Sequence, residues 1–87
     1  MTKVEIILSI VCDETTTKAQ KFMACTRVEN EVAEMEGVKS SQVSSESGVA
    51  DLTAFAEWEE KDIAAKIAEM KQIEGIKEID ARILLVA

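Results

Sequence analysis

Few side chains in this 87-residue chain can carry chemistry. It has no histidine and no tyrosine, so the commonest general base, the commonest metal ligand and the phenolic proton donor are all missing. Two cysteines, Cys12 and Cys25, lack the C-x-x-C spacing of a redox or zinc site. Without an imidazole to activate it, Cys25 reads as a core thiol rather than a nucleophile. Carboxylates remain. The best placed is Asp51 in Gly48-Val49-Ala50-Asp51-Leu52, where an ionisable group enters an apolar strand directly after a glycine turn. Such a carboxylate is either satisfied by turn amides at a strand end or aimed at a partner. Asp13 and Asp80 are the other acidic candidates, and no pair of the three has a spacing that predicts convergence. The expectation is therefore a protein without catalytic residues, metal or cofactor, in which Gly48, Val49, Ala50 and Asp51 form a contact loop.

The elements that must position this loop belong to one small domain spanning residues 1–87, since a chain this short cannot divide into two cores. Hydrophobic residues at 47% and charged residues at 31% suit a folded globular chain rather than a disordered one. The net charge of −7 would repel a phosphate backbone, so direct nucleic-acid binding is not expected. Glu5 interrupts the first apolar stretch, which reads as a strand rather than a signal peptide. No apolar run approaches 18 residues, so no membrane span is expected and a cytoplasmic location is the default.

From Val4 to Cys12, Val4, Ile6, Leu8, Ile10 and Cys12 alternate with Glu5, Ile7, Ser9 and Val11, which predicts a strand. Asp13 to Thr17 offers several N-cap side chains, and Lys18 to Glu36 then runs without glycine or proline as a long helix. Its buried stripe is expected to be Phe22, Cys25, Val28, Val32 and Met35, widened by Ala19 and Ala33, with Gly37 at the C′ position. Val38 to Ser47, with five serines, suits a weak edge strand or a polar hairpin arm. Alternation resumes after Gly48, placing Ala50, Leu52, Ala54, Ala56 and Trp58 on one face and Asp51, Thr53, Phe55 and Glu57 on the other. Trp58 can close a core with its N–H at the surface or serve as a ligand platform. Ile63, Ile67, Met70 and Ile73, helped by Ala64 and Ala68, mark a second helix that Gly75 stops. Ile76 to Val86 is a last strand, with Ile79, Ala81, Ile83 and Leu85 opposed to Asp80, Arg82, Leu84 and Val86.

The order strand, helix, strand, strand, helix, strand predicts an α+β, ferredoxin-like βαββαβ fold, with both helices on one face of a four-stranded antiparallel sheet. Ile7, Val11, Phe55, Leu84 and Val86 would then leave apolar surface on the other face, which predicts a homodimer joined through it.

In its second half the chain carries G-V-A-D-L, an alternating strand, Asp62 opening a helix with I-x-x-x-I-x-x-M-x-x-I, then E-G-I and a terminal apolar strand. This resembles the ligand-binding (RAM) domain of the Lrp/AsnC transcription regulators, closely from Gly48 to Val86 and loosely over the first strand. The resemblance implies dimers that associate further into rings, with amino-acid-like effectors bound where dimers meet. Gly48 and Asp51 match the family's loop motif; Ala50 stands where an aromatic residue is usual, and Ile79 and Ala81 where threonines are. The family's DNA-binding helix-turn-helix has no counterpart before the first strand, so the expected partners are the chain itself, an effector and a full-length regulator of the same family. An assembly protein that binds no effector is the other expectation. A peptide-binding module of the same topology, using Val38 to Ser47, and an enzyme built on carboxylates have less in the sequence to support them.

Overall fold

The computed structural model describes residues 1–11, 15, 17–43 and 51–86. Strand β1 (Thr2–Ile10) is followed by helix α1 (Lys18–Ala33), strands β2 (Val38–Val43) and β3 (Leu52–Trp58), a 3₁₀ turn (Glu60–Asp62), helix α2 (Ile63–Met70) and strand β4 (Ile76–Val86). All three strand pairings are antiparallel, in the order β2-β3-β1-β4. The fold is the expected ferredoxin-like α+β arrangement. Cys12, the acidic and threonine residues before Thr17 apart from Thr15, and the outer half of the serine-rich arm lie outside the described residues.

Alternation decides the two central strands. Val4, Ile6, Leu8 and Ile10 of β1 and Leu52, Ala54, Ala56 and Trp58 of β3 are buried, and they face Cys25, Val28 and Val32 of α1 and Met70 of α2. Burying each large aliphatic side chain contributes roughly 1.5–3 kcal/mol before entropy is charged. Both helices therefore cover one face. Trp58 belongs to this core, and its indole N–H donates to the Glu36 carbonyl at 2.7 Å. Cys25 is likewise buried and in no disulfide.

Helix α1 begins where the cap residues predict. Thr17 accepts the Gln20 N–H at 3.1 Å while its own N–H donates to the Gln20 side chain at 2.9 Å, a reciprocal capping box. The helix ends earlier than expected, at Ala33 rather than Glu36, because the Met35 N–H turns back to the Val32 carbonyl at 3.1 Å. Gly37 is thus not the C′ residue but the hinge of the turn that feeds β2, at φ +89°. Phe22 is also not in the buried stripe, being 59% exposed. Taking Val28 as the centre of the sheet-facing side, Phe22 lies roughly 120° around the helix, while Lys21 lies within about 20° of it. The stripe that faces the sheet is Lys21, Cys25, Val28 and Val32, and Ala19 and Ala33 are on the solvent side.

Helix α2 is a short one, and Ile73 lies beyond it, still packed against the core. Its Ala64 and Ala68 are exposed rather than buried. The helix layer does not reach the far end of β4. Ala81 and Ile83, expected on the buried face, are exposed, Ile83 by 50%.

Gly75 has φ +103°, and its carbonyl accepts the Val11 N–H at 2.8 Å. A Cβ there would meet the Arg27 Nη2 tip at 2.8 Å, and Arg27 itself donates to the Glu74 carbonyl at 2.9 Å. The tip can move, but the backbone angle is one that L-residues resist. Gly75→Ala is expected to cost about 1–2 kcal/mol in urea unfolding, mostly from that angle. A loss below a few tenths of a kcal/mol would show that this turn relaxes freely.

Candidate functional site

Asp51 stands at the entrance to β3, next to the end of β1, because β1 and β3 are neighbours and pair Leu8 with Leu52. Its backbone N–H donates to the Leu8 carbonyl at 3.2 Å. One carboxylate oxygen, Oδ2, accepts the Ile10 N–H at 2.9 Å, and the other, Oδ1, lies 2.7 Å from the Lys21 ammonium. The side chain is only 16% exposed. Three elements therefore meet on one carboxylate: the start of β3, the end of β1 and the first turns of α1.

Burial alone would raise the Asp51 pKa. The hydrogen bond from Lys21, that from the Ile10 amide and the Lys21 charge outweigh it and hold the pKa below its ordinary 3.8. The group is consequently ionised at neutral pH and cannot serve as a proton donor there. Its spare lone pairs can still accept from a ligand, but its geometry is first that of an anchor. Gly48, Val49 and Ala50, the rest of the expected contact loop, lie outside the described residues. The anchor fixes the point at which the chain leaves that loop and enters β3.

Sequence reasoning missed two members of this cluster, Lys21 and the Ile10 amide. A signal for Lys21 existed. The spacing Lys21, Cys25, Val28, Val32 is four, three, four, so a lysine sits in register with an apolar stripe, and a half-buried cation there calls for a carboxylate.

The open face of the sheet holds the other candidate surface. Paired residues share a face, so Gln42, Thr53, Ile7 and Asp80 form one row across the four strands, and Ser40, Phe55, Glu5 and Arg82 the next. Arg82 lies 3.8 Å from Glu5. Phe55 is 36% exposed, Leu84 49%, Ile7 is half-buried and Val11 is exposed. The apolar residues expected at an interface are thus set among charged ones rather than forming a continuous greasy sheet. Val86 is opposite Thr2 in the register, and its side chain lies outside the described residues. A depression of about 250 Å³ on this face is bordered by Lys3, Val4, Lys39, Phe55, Ala56, Glu57 and Leu84.

Among the described residues no three of His, Cys, Asp and Glu are grouped so as to hold a metal ion. No helix among them is long and apolar enough to cross a membrane.

No family model matches the chain, and no curated protein matches it in sequence. Solved structures do match. A hypothetical protein, PHS023 from Pyrococcus horikoshii, is similar at a TM-score of 0.75 and 19% identity, covering 100% of this chain and 93% of that one. E. coli AsnC is similar at a TM-score of 0.72 and 10% identity over 99% of this chain, which spans about half (52%) of AsnC. The transcriptional regulator NMB0573 from Neisseria meningitidis, solved as a complex with L-Met, is similar at a TM-score of 0.64 and 15% identity, covering 98% of this chain and 50% of that one. At these identities the likeness is one of fold. The chain has the fold shared by part of these Lrp/AsnC-type regulators, as its second-half motifs led one to expect.

Proposed function

We propose that this chain is a binding and oligomerisation module of the Lrp/AsnC type, taking a small amino-acid-like effector at the loop Gly48 to Asp51. The observation that carries the reading is the anchoring of Asp51. A carboxylate tied to α1 and β1 is held at the point where the chain enters β3, so a ligand reaching it would meet an acceptor already in place at little ordering cost. The likeness in fold to a regulator solved with L-Met supports an amino-acid-like ligand class. In this reading the module acts on transcription through assembly with a DNA-binding regulator of the same type.

Thermal denaturation with a panel of amino acids, L-methionine among them, tests the effector. A ligand of the native state stabilises by mass action, about 2.7 kcal/mol at one hundred times its Kd, so the Tm should rise with the concentration of the right one. A Tm unmoved by every amino acid at millimolar concentration would remove the effector.

Exposed Phe55 and Leu84 on the open face favour a second reading, an assembly protein that pairs with itself or with a full-length regulator and takes no effector. In both readings Ile7, Val11, Phe55 and Leu84 form a homodimer interface, whereas Val86, paired with buried Thr2 beyond the bulge at Leu84, drops out of it. Sedimentation at micromolar concentration should give a dimer or a larger ring, and Phe55→Glu should give monomer. A wild-type monomer would remove the assembly from both.

A further inference from the structure

We infer that the outer edge of β4 pairs antiparallel with the same edge of a second copy, about a twofold axis at Ala81, and that this contact joins face-to-face dimers into larger assemblies. It deepens the assembly part of the proposed function and takes that dimer as its building block. In the order β2-β3-β1-β4, strand β4 is bonded to β1 along one side, so every other residue directs its N–H and C=O away from the sheet. Its irregularities lie to either side of the stretch that would pair. The register with β1 slips at Lys77 and again at Leu84, but from Glu78 to Ile83 it runs unbroken against Ser9 to Val4. The chain has no proline to block such an edge, and the charges on this stretch are arranged to suit a second copy.

Antiparallel pairing centred on Ala81 sets Asp80 opposite Arg82 of the partner subunit and Ile79 opposite Ile83 of the partner subunit, and the twofold axis makes each pair twice. Opposed residues share a face. The charged pairs therefore lie on the open side, with Asp80 and Arg82, and the isoleucine pairs on the helix side. Both sets are available. Asp80 is exposed and in none of the ion pairs among the described residues, and Arg82, 67% exposed, comes only within 3.8 Å of Glu5. Ile83 is 50% exposed because the helix layer stops short of it, and a second isoleucine beside it would cover that side. Centring the pairing on Asp80 or on Arg82 would set that charge against itself, so the charges fix the register. The stretch Ile79 to Ile83 is about 17 Å of strand, too little for the roughly 1,000 Å² of a stable interface, which places the contact between dimers rather than within one. It is also lateral. The open face is extended by it, and Phe55 and Leu84 stay free to be covered by the face-to-face partner.

Ala81→Cys puts a thiol on the twofold axis and, since Ala81 pairs with Ile6, on the helix side, away from a partner across the open face. With diamide as oxidant it should give disulfide-linked pairs that the unaltered chain, with Cys12 and Cys25 alone, does not give. In sedimentation the wild type should exceed a dimer. Asp80→Arg and Arg82→Asp should each raise the dissociation constant between dimers about tenfold, since two attractions become two repulsions. An equal mixture of the two variants, or both substitutions in one chain, should restore the larger assembly, which a variant that merely misfolds would not do. The proposal fails if the wild type stops at the dimer, if no Ala81→Cys link forms, or if the mixture assembles no further than either variant alone. Phe55→Glu tests the face-to-face dimer by itself, and loss of the dimer there upholds that reading whatever the edge variants do, so the two contacts are judged separately.

Discussion

Gly37→Ala is expected to remove a large part of the protein's stability. At φ +89° the backbone already penalises a side chain by about 1–2 kcal/mol. An added Cβ would also run into the Trp58 ring at Nε1 and Cδ1 and come within 2.8 Å of the Glu57 carbonyl. Neither obstacle can yield easily. The Glu57 N–H is bound to the Gly37 carbonyl at 2.9 Å, and the Trp58 N–H to the Glu36 carbonyl at 2.7 Å, so the turn and the end of β3 hold each other from both sides. Overpacking of this kind costs typically 1–3 kcal/mol and the buried indole hydrogen bond about 1 more. The sum, about 3–6 kcal/mol, is to be set against a total stability of roughly 4–13 kcal/mol for a chain of this length. Trp58 is the only tryptophan and reports its own displacement. Urea unfolding followed by its fluorescence should show the midpoint falling by about 2–3 M, with a red-shifted native spectrum. An unchanged native spectrum with a loss under 1 kcal/mol would mean that the indole does not rest on Gly37.

Asp51 is the second sensitive position. Asp51→Ala removes the acceptor of the Ile10 N–H and the carboxylate oxygen 2.7 Å from the half-buried Lys21 ammonium, for an expected loss of about 2–3 kcal/mol. Asp51→Asn keeps an acceptor for the amide and loses the charge, so its cost should be smaller, about 1–2 kcal/mol. The pH dependence follows from the lowered pKa. A carboxyl that ionises more readily in the folded state than in the unfolded one stabilises the fold fully above its unfolded value, ordinarily 3.8, and that contribution disappears as pH falls through the lower folded value. Thermal melts of wild type and Asp51→Asn should therefore differ at neutral pH and converge in acid. A gap that persisted unchanged at low pH would place the stabilisation elsewhere than in the carboxylate charge.

The fate of Phe22 and Lys21 explains why the fold was legible in the sequence and the site was not. Spacings of three and four can be satisfied by more than one set of residues, and hydrophobicity favours a phenylalanine over a lysine as the first member of a buried stripe. The helix instead turns Lys21 inward, because at its first turn it overlies not apolar core but the Asp51 carboxylate at the start of β3. That carboxylate is brought there by a pairing between residues more than forty positions apart, Leu8 with Leu52, which no local pattern encodes. The bulges at Lys39 and Leu84 are similar. Each is a difference of register between neighbouring strands, invisible until both strands are placed, and each decides whether the next side chain meets solvent, helix or the depression on the open face.

Period-two alternation by itself determined β1 and β3 and the faces they turn to the helices, since Val4, Ile6, Leu8 and Ile10 and likewise Leu52, Ala54, Ala56 and Trp58 recur at every second position. The run from Lys18 free of glycine and proline, after several candidate caps, determined where the first helix starts, and the order of elements determined the ferredoxin-like fold; the structure chose Thr17 as the cap. Tertiary structure alone decided that Asp51 is an anchor with both oxygens engaged, that Trp58 closes over Gly37, and that two lysines border a depression on the open face. The division has a physical cause. Burial of a repeating apolar face depends on composition within one element, whereas a hydrogen bond to a distant amide or a charge beside a pocket depends on which strands become neighbours.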